Sequence, residues 1–227
     1  MSEGNEGTIF GKSFHLNDAQ KAYLKYEEMT LSSKYANFLE DAKSEAEMQY
    51  FLESNPILIP GLYDLHNGPV GNIVISKLQL SNEYVTDFAF ISVNSALAQI
   101  TLVEIESPIV GIFRKSDDEF TSAFNKAHQQ VRDWELWTQQ NAIYLKDMFR
   151  TIYHKSIFKH QKVVLRCILI AGRRSEVQEN SRREKRWAGV NQTPSISIMT
   201  YDRLNEVFIF NVRLFHELLT RQQNIAH

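Results

Sequence analysis

Three runs rich in β-branched and aromatic residues follow one another in the chain, and they constrain its fold more than any other feature. The runs cover Ile73 to Leu80, Tyr84 to Val93 and Gln99 to Ile105. Such runs between polar turns are typical of strands. Because the connectors at residues 81–83 and 94–96 are short, the sequence predicts an antiparallel meander.

Helical patterns flank this meander. Residues 17–28 and 35–42 have helical spacing and predict two helices, and residues 203–221 predict a helix near the C-terminus. Ser44 with Glu47 forms a capping-box pattern before another helix, which Asn55-Pro56 ends. Ser116 with Glu119 forms a second such pattern, before a helix of about 20 residues whose apolar positions recur at helical spacing.

The second half of the chain adds two strands and a basic helix. Lys162 to Ala171 is almost wholly apolar and contains the only cysteine, Cys167, as expected of a strand covered on both faces. A basic helix from about Ser175 to Trp187 and a strand from Ser195 to Met199 follow. This order of elements predicts an α/β fold with a mixed sheet flanked by helices. We expect one globular unit, with a helical segment 1–43 packed on a domain 44–227.

Composition excludes several classes of protein. A net charge of −2 argues against a polybasic protein, although residues 1–60 hold ten acids and five lysines, so an excess of three positive charges lies in the rest. One cysteine allows neither a disulfide framework nor a cysteine-based zinc site. No apolar run approaches the ~20 residues that a membrane span requires, so we expect a cytoplasmic protein without a membrane partner. Glycine-rich phosphate loops and dinucleotide fingerprints are absent from the sequence, which argues against an organic cofactor.

Three acidic residues fall on neighbouring predicted strands. Glu104 and Glu106 are two residues apart, so they share a face at a spacing of ~7 Å, and Asp87 on the adjacent strand can join them. Carboxylates that converge on an apolar sheet have raised pKa values unless a cation lies among them. Mg²⁺ prefers such oxygen ligands. The residues alone leave open that these acids lie at exposed strand ends, or pair with Arg114 or Lys115.

A series of motifs connects these acids with other parts of the chain. The motifs, in chain order, are Phe51-Leu52-Glu53-Ser54-Asn55-Pro56, Asp87, Leu102-Val103-Glu104-Ile105-Glu106-Ser107-Pro108, Ala127-His128-Gln129-Gln130-Val131-Arg132-Asp133-Trp134, Ala171-Gly172-Arg173-Arg174 and Thr200-Tyr201-Asp202-Arg203-Leu204. Together they resemble the Shedu family of bacterial anti-phage nucleases, which belongs to the PD-(D/E)xK phosphodiesterase superfamily. The resemblance implies a restriction-endonuclease-like sheet, DNA cleavage with Mg²⁺ or Mn²⁺, and a homo-oligomer.

The resemblance also implies roles for individual residues. Asp87 and Glu104 would be metal ligands, and Gln130 an accessory active-site residue. The third position, a lysine in the superfamily pattern, is Glu106 here. Lys77 is the favoured replacement and Lys115 is another, or Glu106 itself would be a third ligand or hold the attacking water as a base. The alternative function is a catalytically degenerate member that serves as a nucleic-acid-binding or assembly module.

A basic segment follows the apolar strand. Residues 172–187 contain six basic and three acidic residues. Such a segment is able to contact phosphates without reading bases. The alternative is a solvated helix with internal ion pairs. The predicted nucleic-acid contacts are Lys115, Arg173, Arg174, Arg182, Arg183, Lys185 and Arg186.

Overall fold

A mixed sheet lies at the centre of the protein. The computed structural model describes the backbone of residues 8–11, 18–59, 70, 73–153 and 162–210, and the side chains within these ranges from residue 30 onward. The strands are β1 (Thr8–Gly11), β2 (Ile73–Ser76), β3 (Phe88–Val93), β4 (Leu97–Ile105), β5 (Lys162–Ile170) and β6 (Ile196–Met199). They form one six-stranded sheet in chain order. β1 to β4 are antiparallel neighbours, and β4, β5 and β6 are parallel.

Helices cover both faces of the sheet, which confirms the predicted mixed sheet flanked by helices. The helices are α1 (Asp18–Asp41), α2 (Glu45–Ser54), α3 (Ser122–Gln140), α4 (Ala142–Tyr153), α5 (Arg174–Val177), α6 (Ser181–Val190) and α7 (residues 201–210). A short 3₁₀ helix, Pro56–Leu58, follows α2.

Alternate residues of the central strands supply two hydrophobic cores. Ile100 and Leu102 of β4 pack on the face that also holds Trp134 of α3, here called the α3 face. Val103 and Ile105 pack on the opposite face, here called the α2 face, with side chains from α1, α2 and α7. Because side chains alternate along a strand, Glu104 continues the α3 face at the end of β4. The site described below therefore lies where this face reaches the edge of the sheet.

Most predicted elements are present with shifted boundaries. The meander is confirmed, and so is the Ser44 capping box, in which the Glu47 amide donates to Ser44 Oγ at 3.2 Å. The two helices predicted before residue 43 are one continuous helix, α1, because no glycine or proline interrupts residues 29–34. The helix predicted at 203–221 is seen at 201–210; its remainder, like the polar leader at residues 1–7, lies outside the described residues.

The second capping box was a wrong prediction. α3 begins at Ser122, and the side chain of Thr121 caps it by accepting a hydrogen bond from the Phe124 amide. The acidic residues before it form a turn instead, in which Asp117 accepts from the Glu119 amide at 3.1 Å. Asp118 has the positive φ of 57° that ends this turn. Local side-chain to backbone bonds therefore compete successfully with helix initiation here.

The predicted basic helix is divided into α5 and α6. Asn180 lies between them and accepts hydrogen bonds from the amides of Arg182 and Arg183. An asparagine in this position is a strong N-cap, so a new helix starts at Ser181. β1 and the separate helix α4 were not predicted from the sequence.

Candidate metal and nucleic-acid site

Asp87 is fixed against the end of β4. The register pairs Phe88 with Val103, and the Asp87 amide donates to the Val103 carbonyl oxygen at 3.1 Å. The Ile105 amide donates to Asp87 Oδ2 at 2.7 Å. With 4% of the residue exposed, this carboxylate is buried and its orientation is set by the backbone of the neighbouring strand.

Glu104 lies opposite Asp87, because the register pairs Phe88 with Val103. The residue is 8% exposed. Burial, followed by the negative charge of Asp87, raises the pKa of Glu104 well above its ordinary value. From α3, Gln130 Nε2 donates to Glu104 Oε1 at 2.7 Å. The structure thus brings together the two predicted ligands and the predicted accessory glutamine.

Lys77 also reaches this cluster. Its ammonium forms an ion pair with Asp87 Oδ1, and its amide donates to the Asp87 carbonyl oxygen at 2.8 Å. Burial lowers the pKa of Lys77, but attraction to Asp87 and the hydrogen bond to it outweigh burial, so the pKa is raised. Lys77 has a φ of 52°, a left-handed conformation that is uncommon for a lysine.

Glu106 lies at the open side of the cluster. Its amide donates to the Ile170 carbonyl oxygen at 2.9 Å, and its own carbonyl oxygen accepts from the Tyr201 hydroxyl at 2.5 Å. Burial raises the pKa of this half-buried carboxyl, and so do the negative charges of Glu45 and Asp87. The carboxyl is therefore near enough to these acids for their charge to affect it.

Two charged residues near the cluster were missed by the sequence analysis. Glu45, the first residue of α2, is close enough to raise the pKa of Glu104 and of Glu106. Lys126 on α3 acts in the opposite sense and lowers the pKa of Glu106. The sequence signal for Lys126 was its position four residues before Gln130, which places both on one side of the helix.

α2 contributes a hydrogen-bonded support behind Asp87. The Gln49 amide nitrogen donates to Ser76 Oγ at 3.0 Å and to Glu53 Oε1 at 2.8 Å. It also lies 3.5 Å from the Asp87 carbonyl oxygen. Gln49 is buried, and its Oε1 has no hydrogen-bond partner among the described residues. One turn of α2 thus places Glu45 near the carboxylates and Gln49 against the backbone that carries Asp87.

The carboxylate pair has the chemistry of a site for a hard divalent cation. Among the described residues, no group of three or more His, Cys, Asp or Glu side chains is arranged to hold a metal. Mg²⁺ commonly needs only one or two protein carboxylates, with water and substrate phosphate completing its shell. Asp87 and Glu104 supply these oxygens, and the Lys77 ammonium already compensates part of their charge. The donor set therefore fits Mg²⁺ or Mn²⁺.

Four of the predicted phosphate-binding arginines form ion pairs within the protein. Arg173 pairs with Asp202 and Glu40, and Arg174 with Glu206. Arg183, whose side chain is 3% exposed, pairs with Asp118 and Glu179, and Arg186 pairs with Glu119. These contacts correspond to the alternative of internal ion pairs.

The other three predicted basic residues are exposed. Lys115, Arg182 and Lys185 lie at the surface, and none of them forms an ion pair with the residues that the structure describes. Lys115 makes no contact with the carboxylate cluster.

None of the helices in the described ranges combines the length and apolarity needed to cross a bilayer.

Comparison with known proteins adds one finding to this geometry. No curated protein matches the chain. The model of the family described as Shedu protein SduA, C-terminal, matches residues 42–205. The matched segment is more than half of the chain, and it contains Lys77, Asp87, Glu104, Glu106 and Gln130. The chain therefore belongs to the Shedu protein SduA family.

Proposed function

We propose that this chain is a metal-dependent endonuclease that hydrolyses phosphodiester bonds of DNA in anti-phage defence. The observation that carries the proposal is that two buried acids, Asp87 and Glu104, lie opposite each other on neighbouring strands. Burial and mutual repulsion of two neighbouring carboxylates destabilise a folded protein. A bound cation would offset this cost, which supports the proposal.

Asp87 and Glu104 would hold Mg²⁺ or Mn²⁺. When bound, such an ion stabilises negative charge on a phosphate and lowers the pKa of water. Gln130 keeps Glu104 oriented through its 2.7 Å hydrogen bond, and the Ile105 amide does the same for Asp87. Lys77 reduces the repulsion between the two carboxylates. Glu106 would accept a proton from the attacking water.

The DNA backbone would be contacted by exposed cations. Lys115, Arg182 and Lys185 are free of ion pairs in the described part of the chain and are able to bind phosphates without reading bases. We expect affinity for DNA to fall steeply with salt for this reason. Assembly as a homo-oligomer stays a prediction from the family resemblance, and a cytoplasmic location stays a prediction from the lack of a long apolar run in the sequence.

A second candidate function is supported by Glu106 itself. An acid in the position of the motif lysine removes a cation that would stabilise the phosphate. A degenerate member of the family would keep the fold and bind nucleic acid, or assemble with other copies, without hydrolysis. This candidate predicts DNA binding with a steep salt dependence and no cleavage with any divalent metal.

The experiment that separates the two candidates is cleavage of supercoiled plasmid in Mg²⁺, Mn²⁺ or EDTA. Wild type and two isosteric variants, Asp87→Asn and Glu104→Gln, would be compared. Glu83→Gln, which changes an exposed acid in the loop before β3, is the matched control. We expect nicking that needs metal, persists in the control and is lost in both site variants. DNA binding without cleavage by folded wild-type protein would favour the degenerate module instead.

A further inference from the structure

Contacts along α3 show in which direction this helix runs relative to β4. Gln130 contacts Glu104 near the end of β4. Glu135, five residues later on α3, accepts a hydrogen bond from the Ser195 hydroxyl just before β6. The Ser195 carbonyl oxygen in turn accepts from the amide of Cys167 in β5 at 2.7 Å. Cys167 is paired with Leu102 of β4. Moving forward along α3 therefore means moving backward along β4, so the two elements are antiparallel.

This orientation puts Lys126 at the level of Glu106. Lys126 precedes Gln130 by four residues, a rise of about 6 Å along a helix. Glu106 follows Glu104 by two residues, a rise of about 6.6 Å along extended chain. Four helical residues also rotate by only about 40° beyond a full turn, so Lys126 and Gln130 face the same side. Lys126 is thus opposite Glu106, as Gln130 is opposite Glu104.

Charge and exposure agree with this placement. Lys126 and Glu106 carry opposite charges, which favours their facing each other. Lys126 is exposed and forms no ion pair with another described residue, so its ammonium is available to a ligand. Lys77 differs because its ammonium is already paired with Asp87. Lys115 is exposed and makes no contact with the cluster.

We propose that Lys126 supplies the cation that the Glu106 position lacks and that, with DNA bound, its ammonium donates a hydrogen bond to the scissile phosphate. This inference rests on the proposed nuclease function. In it, Lys126 is a catalytic residue carried by a helix, whereas Lys77 positions and neutralises Asp87. The opposite charge of Glu106 favours this position of the Lys126 ammonium before a phosphate binds.

The test is single-turnover cleavage of plasmid by Lys126→Ala, with Arg132→Ala as the matched control. Arg132 is an exposed cation on the same helix, but six residues further on it faces away from Gln130 and Lys126. We expect Lys126→Ala to slow cleavage about 100-fold, as loss of a group that stabilises the phosphate does. Arg132→Ala should cleave at the wild-type rate. Lys126→Arg should cleave faster than Lys126→Ala, because it keeps a cation at this position of α3.

A second readout does not depend on activity. A zero-length carbodiimide cross-linker joins a carboxylate and an amine that approach each other, and mass spectrometry should recover a Glu106–Lys126 link from wild-type protein. The Lys77–Asp87 pair provides the internal positive control. Absence of the Glu106–Lys126 link while that control link forms would overturn the placement.

The outcomes separate this inference from the function on which it rests. Wild type that cleaves, with Lys126→Ala cleaving equally well, overturns the role of Lys126 and leaves the nuclease proposal intact. Wild type that fails to cleave with every divalent metal tried, although the link forms, refutes the nuclease proposal and with it any catalytic role of Lys126. A selective loss in Lys126→Ala, together with the link, supports both.

Discussion

Without metal, ionisation of buried Glu104 should lower the free energy of unfolding of the protein. Glu104→Gln should remove this loss of stability. Glu104→Gln keeps the size of the side chain and an oxygen that accepts from Gln130. Its amide is also able to donate to the neighbouring Asp87. The substitution therefore tests the titration of one buried group with little change in packing.

The sign follows from the direction of the pKa shift. Burial and Asp87 raise the pKa of Glu104 in the folded protein above its ordinary value of 4.5. The folded state thus holds a proton that the unfolded state releases. The stabilisation is fully present below the unfolded pKa and is lost as pH rises towards the raised folded pKa. In this interval, one proton changes the free energy of unfolding by about 1.4 kcal/mol per pH unit.

The assay is urea unfolding in EDTA at several values between pH 5 and pH 8. The difference in free energy of unfolding between Glu104→Gln and wild type should grow in favour of the variant by about 2–4 kcal/mol over this interval. Saturating Mg²⁺ should then stabilise wild type more than the variant, because only wild type binds it with both carboxylates. A difference that stays constant with pH would refute the reasoning.

Three further substitutions test contacts outside the cluster, each by the free energy of unfolding. Arg183→Ala should lower the free energy of unfolding, because it removes a buried guanidinium that pairs with Asp118 and Glu179, whereas exposed Arg182→Ala should change stability by less than about 0.5 kcal/mol; equal effects would contradict the role of the Arg183 ion pairs. Ser44→Ala should cost about 1 kcal/mol through loss of the α2 cap, and an unchanged stability would argue against that cap. Gly172→Ala should cost about 2 kcal/mol, since Gly172 has a φ of 61° and an added Cβ would lie 2.6 Å from Ile112 Cγ1; a neutral change would show that this turn relaxes easily.

The pairing of Asp87 with Glu104 was predictable, because strand alternation and the length of the connectors determine which side chains meet on an antiparallel pair. The motif pattern added Gln130, and its contact with Glu104 agrees with that expectation. The strand containing Cys167 was predictable from its apolar composition alone, since a strand covered on both faces needs apolar side chains at successive positions.

Other contacts depend on how distant segments pack, and local patterns contain no information about them. That Lys126 lies opposite Glu106 follows only from the antiparallel orientation of α3 and β4. Arg173 and Asp202 are 29 residues apart in sequence, and Arg183 and Asp118 are 65 apart, so a composition count assigned these arginines to an external partner. The turn at Asp117 was misread because the same residue types favour turns and helix starts.

The most direct test of the central claim is calorimetric titration of Mn²⁺ into wild-type protein, Asp87→Asn and the Glu83→Gln control. If Asp87 and Glu104 form a metal site, wild type and Glu83→Gln should bind Mn²⁺ saturably, and Asp87→Asn should lose this binding while staying folded. Wild type that binds no Mn²⁺, or Asp87→Asn that binds it as well as wild type, would contradict the assignment of these carboxylates as a metal site.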